Sequence, residues 1–193
     1  MFENIKNHFP VFKKNPKLVF LDTAASAQKP RSVIESVSNC YSYEYANINR
    51  GVYKLSSDLT KKYEDVRVKT SNYINAENEE NIVFTKSATE AINLVASCFS
   101  EKYLNEGDEI LLSYLEHHAN IVPWQLAAEK KGFKIVTINI DQEGQLDYED
   151  FIQKVNSKTK FISITHMSNV LGTTVDMQII RDQAKKFNIP FLI

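Results

Sequence analysis

Short apolar segments alternate with amphipathic segments along most of the chain. The candidate strands, rich in Ile, Val, Leu and Phe, are residues 18–21, 82–85, 109–113, 134–139, 160–165 and 189–193. Several are apolar throughout, which is typical of strands in a sheet buried on both faces. From residue 80 onwards, strands and helices alternate as they do in a largely parallel α/β sheet.

The amphipathic segments carry helical spacing together with helix-end signals. We predict helices over residues 30–45, 57–74, 87–103, 121–131, 147–155 and 176–187. Ser87 and Glu90 have the spacing of a capping box, and Gly132 is a helix-stop signal. Asp147 and Asp176 occupy the N-cap positions of the last two predicted helices.

The domain organisation follows from the same pattern. We expect residues 1–80 to form a mostly helical segment that packs on an α/β large domain of residues 81–193, the two making one structural unit. Residues 189–193 resemble a strand entering a sheet, and the chain stops where a site-forming loop would begin. We therefore expect the chain to be a fragment.

Composition and charge narrow the function classes. The chain has 193 residues, 43% of them hydrophobic and 24% charged, with a net charge of −1, which indicates a globular protein. A near-neutral chain of pI about 6.4 argues against a broad basic surface, so we expect no nucleic-acid partner. No apolar run reaches the roughly 20 residues that span a bilayer, and the start lacks a secretory pattern. We expect no membrane association and a cytoplasmic location.

The two cysteines, Cys40 and Cys98, lie far apart and lack zinc-type spacing, and we expect no metal site. A disulfide between them is one alternative. Two reduced, buried thiols are the interpretation favoured for a cytosolic chain.

Polar segments follow four successive strand patterns, at residues 22–30, 85–90, 116–120 and 166–173. Taken singly, each is also compatible with a purely structural turn or cap. Because the carboxyl ends of parallel strands share one edge of a sheet, their convergence favours a binding cleft.

Each segment offers a particular chemistry. The turn at residues 85–90 opens a helix, whose free N–H groups suit phosphate, although a Ser87–Glu90 capping box would use some of the same donors. It lacks the glycines of nucleotide-binding loops. His117 could stack on an aromatic ring or transfer a proton, whereas adjacent His117 and His118 make a poor shared metal site. Arg50 could bind a carboxylate or phosphate, or form a structural pair.

Longer strings in these segments resemble a known family. They are DTAASAQKP at residues 22–30, RG at 50–51, ATEAINLVA at 88–96, EHHANIVPWQ at 116–125 and THMSNVLGT at 165–173. They resemble the cysteine desulfurase and selenocysteine lyase group, pyridoxal 5'-phosphate enzymes of the class V aminotransferase kind, and most closely its SUF-type branch. The resemblance implies a truncated large domain of the fold type I, aspartate-aminotransferase-like PLP-dependent transferases, with a mostly parallel sheet flanked by helices.

The resemblance also implies roles for individual residues. His117 would stack on the cofactor ring, with proton transfer as a further role, and Asn169 would bond the ring hydroxyl. Ser87, Ala88 and Thr89 would cradle the phosphate. The residues assigned to the substrate side are Ala25, Asn49, Arg50 and Glu90.

The sequence departs from the family pattern at several points. Asn49 stands where the family often has histidine, and Lys86–Ser87–Ala88 replaces the usual Arg-Gly-Thr. The family's cofactor-binding lysine, its aspartate at the ring nitrogen, its persulfide-forming cysteine and its carboxylate-binding arginine would all lie beyond Ile193. Neither Cys40 nor Cys98 matches that cysteine.

The implied activity is the conversion of L-cysteine to L-alanine and an enzyme persulfide, by a homodimer that passes sulfur to an acceptor protein of the SUF iron–sulfur route. We expect this chain to be the N-terminal part of such an enzyme and inactive alone. The alternative is a non-catalytic remnant that acts as a binding or dimerisation module. Exposed sheet edges also lead us to expect poor solubility.

Overall fold

The computed structural model describes residues 4–193, and the chain divides into two units, Met1–Phe84 and Thr85–Ile193. The first unit is helical. Its elements are a 3₁₀-helix at Ile5–His8, α1 (Pro10–Lys14), α2 (Arg31–Asn39), a π-helix at Cys40–Glu44, α3 (Lys54–Ile74) and a 3₁₀-helix at Glu79–Asn81. Asn75, at φ 56°, ends α3 in the left-handed conformation that asparagine tolerates.

The second unit is an α/β layer structure. Its elements are α4 (Ala88–Tyr103), β1 (Glu109–Ser113), a 3₁₀-helix at His118–Asn120, α5 (Val122–Lys131), β2 (Lys134–Ile138), α6 (Tyr148–Lys154), β3 (Thr159–Ser163), α7 (Met177–Phe187) and β4 (Phe191–Leu192). The sheet order is β2-β1-β3-β4, and all three pairings are parallel. The predicted parallel α/β sheet is confirmed.

The sheet is buried on both faces, as its apolar strands predict. Leu111 packs on one side with Phe151, and Ile110 packs on the other with Trp124. These four side chains are fully buried. Alternation along β1 therefore assigns successive residues to two separate cores.

The predicted helix-end signals are confirmed at α4, α5, α6 and α7, whereas the helix predicted over residues 57–74 begins earlier, at Lys54, and the one predicted over residues 30–45 is α-helical only over Arg31–Asn39. Ser87 Oγ accepts a hydrogen bond from the N–H of Glu90, and Asp147 and Asp176 cap α6 and α7 in the same way. Gly132 follows α5 at φ 76°, a conformation open to glycine without strain.

Two predicted strands are wrong. Residues 18–21 and 82–85 are extended but belong to no sheet within the described residues. A strand requires a neighbouring strand to satisfy its backbone groups. In the first unit the carbonyl of Ile82 accepts instead from the guanidinium of Arg67.

The last strand is shorter than predicted. The sequence predicts a strand over residues 189–193, yet only Phe191 and Leu192 pair with β3. Pro190 has no N–H to donate to a ladder. The N–H of Ile189 donates to the carbonyl of Ala184 at the end of α7, so it is not available to a strand ladder.

The two thiols are free, but the predicted burial is wrong: Cys40 is half-buried and Cys98 is exposed. Cys98 lies two positions beyond buried Ala96 on α4, about 200° around the helix, and so on the solvent side. None of the helices within residues 4–193 combines the length and apolar character needed to cross a bilayer.

Candidate functional site

The strand order creates a switch point at the carboxyl edge of the sheet. The chain leaves β1 for β2 on one side and then crosses to β3 on the other side of β1. In open α/β sheets, ligands bind outside the carboxyl ends of strands at such a point. The loop after β1 carries His117, and the loop after β3 carries Asn169. The fold therefore brings these two predicted residues to the same edge.

A direct hydrogen bond joins the two loops. The N–H of Thr165, just past β3, donates to Oε1 of Glu116 over 2.9 Å. Glu116 is the residue immediately before His117. The proximity predicted from sequence is thus present as a contact between the segments.

The side chain of His117 is exposed and held by its own turn. Its Nδ1 accepts a hydrogen bond from the N–H of Ala119 over 3.1 Å, so the neutral ring carries its proton on Nε2. The ring of His118 lies 6.0 Å away at 85°. Within residues 4–193, no group of three potential ligands could hold a metal ion. The exposed His117 ring therefore presents an N–H donor at Nε2.

At the start of α4, helix capping uses different backbone N–H groups from those that could bind an anion. Ser87 Oγ accepts from the N–H of Glu90 over 3.1 Å, and Glu90 Oε2 accepts from the N–H of Lys86 over 2.7 Å. The cap uses only these two amides. Within the described residues, the N–H groups of Ser87, Ala88 and Thr89 have no acceptor.

These three free amides coincide with the predicted phosphate cradle. They lie at the positive end of the α4 dipole, where anions are stabilised. Helix α4 also contacts the 3₁₀-helix His118–Asn120 and α5, which places it beside the loop that follows β1. The carboxylate of Glu90 adds a negative charge nearby, partly offset by the ammonium of Lys86 at 3.7 Å.

Asn169 stands at the tip of a preformed hairpin. Met167 and Thr174 form an antiparallel bridge, and the N–H of Ser168 donates to the carbonyl of Thr173 over 2.9 Å. The buried hydroxyl of Ser168 accepts from the N–H of Leu171 over 3.2 Å. Within the described chain the exposed amide of Asn169 has no partner, so it is free to bond a ligand.

The remaining predicted site residues lie in the first unit, in two separate turns. Ala25 is exposed, and its N–H donates to the carbonyl of Asp22. Asn49 adopts a left-handed φ of 67°, and its N–H donates to the hydroxyl of Thr60 over 3.0 Å. Arg50 is exposed and forms no ion pair with the described residues.

Steric crowding explains why the residue after Arg50 is a glycine. A Cβ at Gly51 would collide with the Ser56 side chain, which is fully buried and donates from Oγ to the carbonyl of Asn47. The bend that presents Asn49 and Arg50 is therefore folded tightly onto the start of α3.

Of the four polar segments expected to follow strands, only two do. Those at residues 116–120 and 166–173 follow β1 and β3, whereas those at 22–30 and 85–90 follow extended segments outside the sheet. Sequence reasoning missed the buried amide of Asn120, which accepts from Ser163 of β3 over 2.6 Å. The spacing of Glu116 and Asn120, four residues apart around a turn, was the available signal.

Comparison with known proteins bears on this arrangement. The family model described as "Aminotransferase class-V" matches residues 19–193. The cysteine desulfurase SufS of Plasmodium falciparum (isolate 3D7) is 43% identical over 92% of this chain and 33% of its own length. The cysteine desulfurase of Serratia proteamaculans (strain 568) is 40% identical over 99% of this chain and 48% of its own length. The chain thus spans less than half the length of these curated relatives.

Solved structures are similar over the same extent. The apo structure of cysteine desulfurase from Thermococcus onnurineus NA1 superposes with a TM-score of 0.91 and 33% identity, covering 98% of this chain and 46% of that one. The cysteine desulfurase CsdA of Escherichia coli superposes with a TM-score of 0.86 and 32% identity, covering 97% and 47%.

Proposed function

The chain belongs to the class V aminotransferase family, and from that premise we propose that it is the N-terminal part of a pyridoxal 5'-phosphate-dependent cysteine desulfurase. The reaction would convert L-cysteine to L-alanine and leave a persulfide on the enzyme, as a sulfur source for iron–sulfur cluster assembly. The observation that carries this proposal is the identity of 40–43% with cysteine desulfurases over nearly the whole chain.

The described residues fit a pyridoxal phosphate at three points. The free amides of Ser87, Ala88 and Thr89 suit its phosphate, because they point out of the positive end of a helix dipole. The exposed ring of His117 offers a face for stacking, and the unpartnered amide of Asn169 can donate to a ring hydroxyl. When bound, the cofactor supplies an electron sink for carbanion chemistry.

This chain's own residues would bind and orient the substrate and move its proton. His117 would be the proton-transfer residue of the site: because its Nδ1 accepts from the N–H of Ala119, the neutral ring would donate its proton from Nε2 and take it back at the same atom. Asn49 has an amide, which does not titrate, so it would contribute hydrogen bonds only. We assign Ala25, Arg50 and Glu90 to the substrate side with Asn49, Arg50 being suited to a carboxylate.

The covalent part of the chemistry would come from outside this chain. No lysine here lies in the family's cofactor-binding motif, so we propose that the chain alone is inactive. In the intact enzyme we propose a cytoplasmic homodimer that transfers sulfur to an acceptor protein of the SUF route.

A non-catalytic binding or dimerisation module is the second candidate. It is favoured by apolar side chains left bare in the first unit, among them Leu21 at 89% and Tyr73 at 90% exposure. Such surface is typical of a face that another protein segment covers.

The test is complementation. The 193-residue chain would be refolded with and without the C-terminal half of the Serratia proteamaculans desulfurase, and alanine release from L-cysteine would be measured with added cofactor. We expect no alanine from either half alone and measurable alanine from the mixture. A matched chain carrying Asn169→Ala, which loses the amide assigned to the ring hydroxyl, should complement less well. Alanine release by the chain alone would refute the inactivity. A soluble mixed complex without turnover would favour the binding module.

A further inference from the structure

We propose that Glu116 is a positioning residue whose carboxylate fixes the His117 ring relative to the loop that leads to Asn169. The inference rests on the proposed function, in which His117 and Asn169 contact the cofactor ring. Glu116 would touch neither cofactor nor substrate. It would act through the backbone on both sides of His117.

One carboxylate joins three segments at the switch point. Its Oε1 accepts from the Ser113 hydroxyl at the end of β1 over 2.5 Å and from the N–H of Thr165 past β3 over 2.9 Å. Its Oε2 accepts from Nδ2 of Asn120 in the 3₁₀-helix over 2.7 Å. All three hydrogen bonds are accepted by Glu116, so both of its oxygens are committed. Bonds to an ionised acceptor are about twice as strong as neutral ones.

A second layer fixes the orientation of the Asn120 amide. Its Oδ1 accepts from Nε1 of Trp124 over 3.2 Å and from the hydroxyl of Ser163 over 2.6 Å. Trp124 and Ser163 are both fully buried. With the oxygen of Asn120 held by two donors, its NH₂ group can only face Glu116.

His117 lies between these fixed points. The residue before it is held by Ser113 and Thr165, and the 3₁₀-helix after it is held through Asn120. Within that helix the N–H of Ala119 donates to Nδ1 of His117. The carboxylate therefore sets both the place of the ring and the nitrogen that carries its proton.

An isosteric swap tests the network. Glu116→Gln leaves one acceptor and one donor where two acceptors are needed, so some donor must face another donor. Asn120→Asp sets two carboxylates 2.7 Å apart. The double variant Glu116→Gln/Asn120→Asp reverses donor and acceptor: the introduced glutamine amide donates to one oxygen of the introduced aspartate, and the other oxygen still accepts from Trp124 and Ser163. Its net charge equals that of the unaltered chain.

The measurement is nitrogen-15 NMR on the full 193-residue chain. In each single variant we expect the resonances of the Ala119 amide and of the His117 ring nitrogens to shift. We also expect the hydrogen of the Ala119 amide to exchange with water about tenfold faster, the factor that corresponds to the loss of one hydrogen bond. The double variant should restore both. Methyl signals of buried Ile110 and Ile138 report whether the fold is intact.

Two results would overturn the proposal. One is a single variant with altered Thr165 signals but unchanged His117 and Ala119 signals, since Glu116 would then only join strands. The other is a double variant that fails to restore the His117 and Ala119 signals. If the single variants do not fold, the double variant alone decides the question, because in it every donor of the network again faces an acceptor.

A ligand titration separates this inference from the proposed function. Pyridoxine 5'-phosphate, which has no aldehyde to react with lysines, should bind about tenfold more weakly to each single variant and normally to the double variant. Inorganic phosphate, held by α4, should bind all of them equally. If the unaltered chain binds no pyridoxine 5'-phosphate while the NMR signals follow the swap, the proposed function fails and the positioning role of Glu116 stands.

Discussion

The most informative stability test replaces Gly144, which lies behind the Asn169 hairpin. Gly144 has φ 74°, and a Cβ built there would lie 2.6 Å from Cδ1 of Leu171. Gly107 has a similar φ of 85°, but its Cβ would meet nothing within 4 Å. Gly144→Ala and Gly107→Ala therefore share a backbone cost and differ in a steric contact.

The magnitudes follow from those two contributions. An alanine in the left-handed region costs about 1–2 kcal/mol, of which the lower entropy of the unfolded chain returns up to about 1 kcal/mol. We expect Gly107→Ala to lower the free energy of unfolding by about 1 kcal/mol. Leu171 is 52% exposed, so swinging it into water forfeits about half of a leucine's burial, about 1 kcal/mol. Gly144→Ala should therefore cost about 2 kcal/mol.

The assay is equilibrium unfolding in urea, followed by circular dichroism, with the slope of the transition unchanged between variants. When Gly144→Ala is introduced into a chain that already carries Leu171→Ala, its further cost in free energy of unfolding should fall to that of Gly107→Ala, because the side chain that the new Cβ would meet is gone. Equal losses for the two glycine variants would refute the contact between Gly144 and the hairpin.

Three further predictions concern other elements. Ser87→Ala should lower the free energy of unfolding by about 1 kcal/mol, because the N–H of Glu90 loses its cap, whereas Ser97→Ala on the exposed side of α4 should change it little in the same urea assay. Burial raises the pKa of Asp150, but hydrogen bonds from Asn139 and Lys154 and the charge of Lys154 outweigh it, so the pKa is lowered overall. Its carboxylate thus stabilises the fold above about pH 4, and that stability is lost as the pH falls through the lowered pKa. Asp150→Asn should therefore lower the free energy of unfolding by about 1 kcal/mol at about pH 7 and by progressively less below about pH 4. A loss that did not depend on pH in unfolding experiments would contradict this. Val52→Ser should raise the solubility limit of the chain, measured by centrifugation, without lowering its unfolding midpoint, because Val52 is fully exposed.

Much of the fold could be predicted because its determinants are local. The caps at Ser87, Asp147 and Asp176 and the stop at Gly132 depend on residues within one helical turn, and each is present. Continuous apolar strands indicated a sheet covered on both faces, and β1 shows it. The segments at 18–21 and 82–85 could not be decided in this way, since a strand exists only beside another strand.

The candidate site divides along the same line. The sequence by itself offered His117 and the start of α4 as candidates through turn position and side-chain chemistry, and the resemblance of its strings to a known family singled them out together with Asn169. Only the tertiary structure decided that β1 and β3 are neighbours, which amides at α4 stay free, and that Glu116 connects the two loops. Such contacts join residues far apart along the chain, and their strength depends on distance and burial, neither of which a linear pattern contains.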